Sequence, residues 1–371
     1  MVKELKIPFY IKATISSVGI IALLAVLYIA QDIIVPLVFA TIIAILLTPV
    51  VSFFVRLKIG RVLSIIITLL LTFVIVAAFG TLLVSQAIQF GESWPTLVEK
   101  FTEVVNQAIV WISGSLNIDS QNIHDWITKT KEELINTSSV ALGQTLLAMG
   151  NLLVVIFIMP VYIFLILFYQ PLLTEFINKL FGKDNKIQVK EISTQIKIVV
   201  QKYLSGLIIE ILLIASMEIA TLFILGIDYA ILLGIIGALF NLIPYIGGLV
   251  AGALPMMVAL ATKDTGWYAI YVLIIYYIIQ LIDNNYIVPK IVASKVKINA
   301  LFSMIVVIVG NAFWGIPGMF LSIPLLAIVK LVFDHIESLK PWGFLLGDTM
   351  PSLLKIKPIF KNLKTKRVTP S

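Results

Sequence analysis

The chain contains no cysteine and two histidines, His124 and His335. Disulfides, thiolate nucleophiles and most zinc sites are thereby excluded. No glycine-rich loop is followed by Lys-Ser or Lys-Thr, so the phosphate cradle of nucleotide-binding folds is missing as well. Charge is the second scarcity. Asp, Glu, Lys and Arg make up 13% of the 371 residues against 60% hydrophobic ones, and mean hydropathy is +1.06. A soluble fold of this length needs a far more polar skin. An intramembrane protease would require an embedded Asp pair, a Ser with a His, or His-Glu-x-x-His, and none stands here in a fitting context. The composition therefore describes an all-α polytopic membrane protein, not an enzyme, with no cofactor and no metal. The net charge of +7 comes from basic residues placed between apolar runs rather than in one stripe with aromatics. It speaks for cytoplasmic loops and lipid headgroups and against nucleic acid.

Six regions follow from the pattern of apolar runs and charges. Residues 1–89 hold three spans, with Arg56, Lys58 and Arg61 in a basic loop between the second and third. Residues 90–139 form an extracytoplasmic insertion with three Lys against seven acids. Within it Leu97, Phe101, Val104, Ala108 and Trp111, then Ile123, Trp126, Ile127, Thr130 and Leu134, recur at helical spacing, which predicts two amphipathic helices. Packing on the membrane domain is one use of their apolar faces; a neighbouring subunit and the headgroups are others. Residues 140–202 hold a fourth span and a basic amphipathic helix. Repeat 1 (203–262) and repeat 2 (263–334) each consist of a span followed by a broken helix pair, and a basic tail (335–371) ends the chain. Alternating loop charge puts both termini in the cytoplasm of a bacterial inner-membrane protein with about eight membrane segments.

The broken pairs are the strongest signal. In the first, apolar runs from Tyr229 to Ile243 and on to Thr262 flank Pro244, Gly247 and Gly248; in the second, Ala300–Trp314 and Met319–Phe333 flank Gly315, Pro317 and Gly318. Proline removes a backbone donor and glycine permits a reversal, so both helices must break. Each half measures about 22 Å at 1.5 Å per residue, short of the ~30 Å hydrocarbon core. Re-entrant hairpins and pairs of tilted spans both satisfy the loop charges, and the lengths favour hairpins. The two repeats start from opposite sides, an inverted-repeat pattern, and such interrupted segments mark a transporter's binding site because freed backbone groups survive only inside protein or beside water.

Ionisable groups inside the bilayer cost roughly 2.5 to 3.5 kcal/mol each, which makes every one a functional candidate. Glu210 and Glu218 lie on span five, Asn241 and Asn311 shortly precede the breaks, and Asp283 and Asn284 lie in the inner third of the following span. Glu218 lies about fifteen residues into its span, beyond snorkelling reach; for the others there is a structural alternative: Glu210 reaching headgroup water, the amides capping freed carbonyls, Asp283 and Asn284 forming an ordinary helix end. Together they would line one polar route, with Glu218 or Asp283 as the protonatable or cation-coordinating group.

Asn241-x-Ile243-Pro244-Tyr245-x-Gly247, Pro255, Asp283-Asn284, Pro289-Lys290-Ile291-Val292 and Gly315-Ile-x-Gly318-Met319-x-Leu321-x-Ile323-Pro324 occur in this order, after Ile34-Val35-Pro36-Leu37 at the start of span two. The combination resembles the autoinducer-2 exporter family of bacterial permeases. It departs from the family's pattern at Ala293, Asn299-Ala300 and Asn311. The resemblance implies export of a small solute such as the quorum-sensing furanone autoinducer-2, sodium/proton antiport as practised by other members, and a homo-oligomer, with a pentamer as the implied assembly. A non-transporting scaffold or receptor using the acidic outer insertion, and a passive channel, are the competing readings.

Overall fold

The computed structural model describes residues 8–116, 157–180, 186–242, 247–292 and 297–348. The second amphipathic helix expected around Ile123 to Leu134, the beginning of span four and most of the basic tail lie outside them, as does Pro244. Among the described residues the chain is helical, with a single isolated β-bridge between Ile298 and Gly347 and no strand. Within the described residues, six helices are long and apolar enough to cross a membrane.

Helices α1 (Phe9–Ile29) and α2 (Gln31–Arg56) are joined through the single residue Ala30. Pro36 and Pro49 lie inside α2, Pro36 in its second turn, where the Asp32 carbonyl loses its helical donor. The next helix, α3 (Arg61–Leu116), is one rod of 56 residues. Span three and the first amphipathic helix are therefore continuous: Pro95 lies within α3, and Leu97 and Val98 beyond the apolar stretch are buried. Helix α4 (Phe157–Leu180) runs past the expected end at Tyr169 and packs Ile163 and Leu167 against Ala40, Ala44 and Val51 of α2 and Ile65 of α3. Arg61 adds a bond of 2.8 Å from its guanidinium to the Leu167 carbonyl.

Helix α5 (Lys186–Ile224) merges the basic amphipathic segment with span five in 39 residues. At its basic end Gln201 donates to the Ile45 carbonyl of α2 (2.7 Å), and Gln188 to the His335 carbonyl (2.6 Å). After a turn with Gly226 and Tyr229 at positive φ come α6 (Ala230–Asn241) and α7 (Gly247–Thr262), which pack on each other as the first hairpin. Helix α8 (Trp267–Ile282) is followed by a ten-residue π-helical turn, Asp283–Val292. Pro289 cannot supply the N–H that an α-helix would offer the Asn285 carbonyl, and two Asn in a row are weak helix formers, so the ladder slips to wider spacing here.

Helix α9 (Ala300–His335) is broken at Trp314 (φ −132°, ψ 15°) and Gly315 (φ 61°, ψ −142°), the second a region open to glycine. Its limbs fold back on each other: the Ser322 hydroxyl bonds the Val306 carbonyl at 2.9 Å and the Gly318 carbonyl at 2.6 Å. Gly310 and Gly318 face one another so closely that a Cβ on either would strike the other's backbone. The chain then passes through a short turn at Glu337–Leu339 into α10 (Lys340–Leu346), which returns to the start of α9. There Asn299 caps α9 by accepting from the Phe302 N–H (3.0 Å) and donates to the Leu345 carbonyl (2.8 Å). A broad belt of Val, Leu, Ile and Phe on α1, α3, α5 and α8 faces outward. In water so large an apolar surface would drive association; in a bilayer it is solvated by lipid.

Candidate functional site

The first hairpin brings the end of α6 to the end of α8. The Asn241 side-chain amide donates to Oδ2 of Asp283 at 2.7 Å, and Gln280 donates to the Asn241 carbonyl oxygen at 3.3 Å. This relay orients Asp283 and ties the last residue of α6 to α8 one turn before the helix widens. Beside it opens a cavity of about 820 Å³. Its polar lining is Glu210 of α5, Asn241, Gln280, Asp283, Asn284 and Ser303, and its aromatic lining is Tyr203, Tyr276 and Tyr277. Most of the remaining wall is aliphatic, including Leu207, Leu273, Val288 and Ile323. A volume of this order, apolar with a few convergent polar groups, is what small-molecule sites use.

Charge balance in the site is one-sided. Glu210 is 5% exposed, Glu218 3% and Asp283 1%. The three ion pairs among the described residues are Lys179 with Glu175, Lys330 with Asp334 and Lys340 with Glu337, so none of these acids is paired. Oδ1 of Asp283, Oε2 of Glu218 and the Tyr276 hydroxyl are buried without a hydrogen-bond partner. Buried polar atoms are ordinarily satisfied, and unsatisfied ones cost about 1 to 3 kcal/mol each, more for charged groups. Glu218 does not line the cavity. It packs against Gly237 of α6, where a Cβ would collide with the carboxylate. Gly237 precedes Asn241 by four residues, so both lie on one face of α6 and Glu218 continues the polar line about 12 Å along α5 from Glu210.

The sequence-derived candidates thus divide. Glu210, Asn241, Asp283 and Asn284 converge on the cavity. Gly247 and Gly248 open the return helix α7. Asn311, Gly315, Pro317 and Gly318 do not line the cavity: Asn311 and Pro317 are exposed, Gly315 makes the bend, and Gly318 is the contact surface for Gly310. The tip of the second hairpin is held elsewhere, by a bond of 3.1 Å from the Trp314 indole N–H to the Leu27 carbonyl of α1 and an edge contact between Phe313 and Tyr28. Tyr203, Tyr276, Gln280 and Ser303 line the cavity although the sequence patterns did not select them. The signal for Gln280 was its place one turn before Asp283; for the tyrosines there was none, because α8 is apolar on nearly every side and Tyr203 falls on the apolar face of the amphipathic segment of α5.

A family model described as AI-2E family transporter matches residues 18–338. The chain belongs to that family. Among its relatives, the AI-2 transport protein TqsA of Escherichia coli (strain K12) is 25% identical over 328 residues, covering 86% of this chain and 90% of TqsA. YhhT of the same organism, also named as a transport protein, is 21% identical over 333 residues, 90% of this chain and 93% of YhhT. YueF of Bacillus subtilis (strain 168) is 31% identical over 137 residues, a match that spans only 37% of either protein. Membership in the AI-2E family makes this a multi-pass membrane protein of a transporter class, and the apolar helices agree.

Proposed function

We propose that the chain moves a small polar solute across the bacterial inner membrane by alternating access, with the cavity at the tip of the first hairpin as the resting place of the solute. The observation that carries this reading is the meeting of Asn241, Gln280 and Asp283 at the wall of an 820 Å³ chamber, between helices whose outer faces are apolar. Backbone interrupted within a bilayer is tolerated beside such a chamber. The first hairpin would be re-entrant, and its tip would open and close the chamber against α5 and α8. By the positive-inside rule the end carrying Arg56, Arg61, Lys190 and Lys340 faces the cytoplasm. Export is the direction expected of the family, and autoinducer-2, named for TqsA, is one candidate solute.

Ion coupling is part of the reading. Buried carboxyls without counter-charge are stable when they carry a proton or meet a cation, so Glu218 and Asp283 suit a proton- or sodium-coupled cycle and keep sodium/proton antiport as the second reading. Assembly as a homo-oligomer, with the lipid-facing helices of each protomer as scaffold, belongs to the same proposal. Flux into proteoliposomes, with and without proton and sodium gradients, tests it. Saturable flux that falls with Asp283→Asn and loses its ion dependence with Glu218→Gln is expected. Unsaturable conduction, or full coupling in both variants, would reject it.

A further inference from the structure

We infer that α10 and the basic stretch after it dock on the bilayer surface through anionic phospholipid, whose headgroups gather beside Trp342 and Phe344. The inference rests on the membrane placement of the helices and on no part of the solute reading, so either can fail without the other.

Helix α10 lies across both ends of α9. Gly343 abuts Asp334 in the last turn of α9, so closely that a Cβ would strike the carboxylate. Three residues on, the chain meets the start of the same helix: the Asn299 N–H donates to the Leu346 carbonyl at 3.0 Å, and the Asn299 side-chain amide to the Gly347 carbonyl at 3.1 Å. Seven residues rise about 10 Å, the spacing of two packed helices, so α10 is a bar laid over the two limbs where their apolar runs stop. That level is the polar edge of a bilayer, and the Lys330 ammonium, bonded to Asp334 at 2.6 Å, marks it.

The inner face of the bar, Gly343 and Leu346, is buried, whereas Pro341, Trp342, Phe344 and Leu345 are exposed and make the outer face wholly apolar. A lysine stands at each end. Lys340 opens the helix, and the exposed Lys297 precedes Ile298, the partner of Gly347 in the β-bridge. Lys340 also reaches Glu337 at 3.3 Å, but an exposed pair of this kind contributes little and leaves the ammonium within reach of other anions. After Glu337 the one acid is Asp348, and residues 349–371 carry Lys355, Lys357, Lys361, Lys364, Lys366 and Arg367. An apolar surface with a basic cluster beside it is what an anionic bilayer binds: the rings enter the headgroup zone and each cation adds attraction. A second copy of this chain would bring the same positive charge against the patch, and neutral phospholipid would leave the cations uncompensated.

A chain without cysteine accepts a single fluorescent reporter. Phe344→Cys, labelled with nitrobenzoxadiazole, is placed in the purified full-length protein in nanodiscs of equal parts phosphatidylcholine and phosphatidylglycerol. Leu345→Cys, on the same face, is the second reporter, and Thr265→Cys, exposed between α7 and α8, is the aqueous reference; unchanged melting temperatures confirm the folding of each. Two disc preparations of identical composition differ only in which lipid carries brominated, quenching chains. Brominated phosphatidylglycerol should quench the reporter at 344 about fivefold more effectively than brominated phosphatidylcholine, the gain expected from one basic residue at an anionic surface, while acrylamide reaches 265 and not 344. Lys297→Gln and Lys340→Gln, combined with Gln in place of the six basic residues between 355 and 367, should abolish the preference. Equal quenching by the two lipids, or a preference that survives those changes, would overturn the inference. So would acrylamide quenching at 344 equal to that at 265, which puts the face in water, and so would quenching by none of the three, which puts it against protein, a second copy included.

Discussion

The two helical hairpins look alike in sequence, each an apolar pair interrupted by Gly and Pro with an Asn ahead of the break, yet they end in different surroundings. The tip of the first meets a polar relay: Asn241 donates to Asp283 and accepts from Gln280. The tip of the second is stapled to α1 through Trp314 and Leu27, with Asn311 exposed. Their packing differs too. In the second, the Gly310 and Gly318 backbones touch and Ser322 bridges the limbs, whereas in the first Gly237 makes room for Glu218, a side chain from a different helix. A break in a membrane helix is therefore not a binding site by itself. What distinguishes the first hairpin is that its freed end faces acids that have no counter-charge.

The contrast can be broken or sharpened by substitution. Asp283→Ala removes the acceptor of the Asn241 relay and should lower solute flux in proteoliposomes by roughly a hundredfold, in line with losing a buried hydrogen bond to a carboxyl and leaving the Asn241 amide unsatisfied, whereas Asn311→Ala should leave flux within a factor of about two. Equal losses in both would erase the difference between the hairpins. Next in size, Gly318→Leu forces a side chain into the Gly310 backbone and should destabilise by about 3 kcal/mol or more, read as a lowered melting temperature in detergent. Gly237→Ala should cost about 1 to 3 kcal/mol, and a double variant with Glu218→Ala should recover most of it, because the collision is with that carboxylate. Smallest, Trp314→Phe removes one indole N–H bond and should cost about 1 kcal/mol with solute affinity unchanged, which calorimetry and melting can both check.

Much of this arrangement was legible from the chain alone, and the parts that were not share a cause. Spans, breaks and the acids Glu210, Glu218 and Asp283 stand out because polarity is rare in such a sequence. Which way a residue faces does not, since α8 is apolar around nearly its whole circumference and Tyr203 lies on the apolar face of the amphipathic part of α5, where an aromatic reads as packing. Tyr203 and Tyr276 went unselected for that reason. The helical reading of Leu97, Phe101 and Val104 agrees with α3, but its continuity through Gly91 and Pro95 depends on packing: Leu97 is buried with Leu222, Ile227 and Leu233, and that contact outweighs local propensity. The π-helical turn after Ile282 had its cause in view, in Pro289 and the paired Asn, but a shift of one residue in a hydrogen-bond ladder leaves no trace in composition.

The long rod α3 has a mechanical consequence. Where it packs on α6 and α7, Ser93 accepts a 2.6 Å bond from the Tyr229 hydroxyl and Phe90 sits edge-on to the same ring, at the root of the first hairpin. Next to that root the backbone is already turned through Gly226 and Tyr229, both at positive φ. The root of the hairpin is thus anchored to the long helix through Tyr229, and the far end of α6 to α8 through Asn241, so both ends of one limb are tied to neighbouring helices.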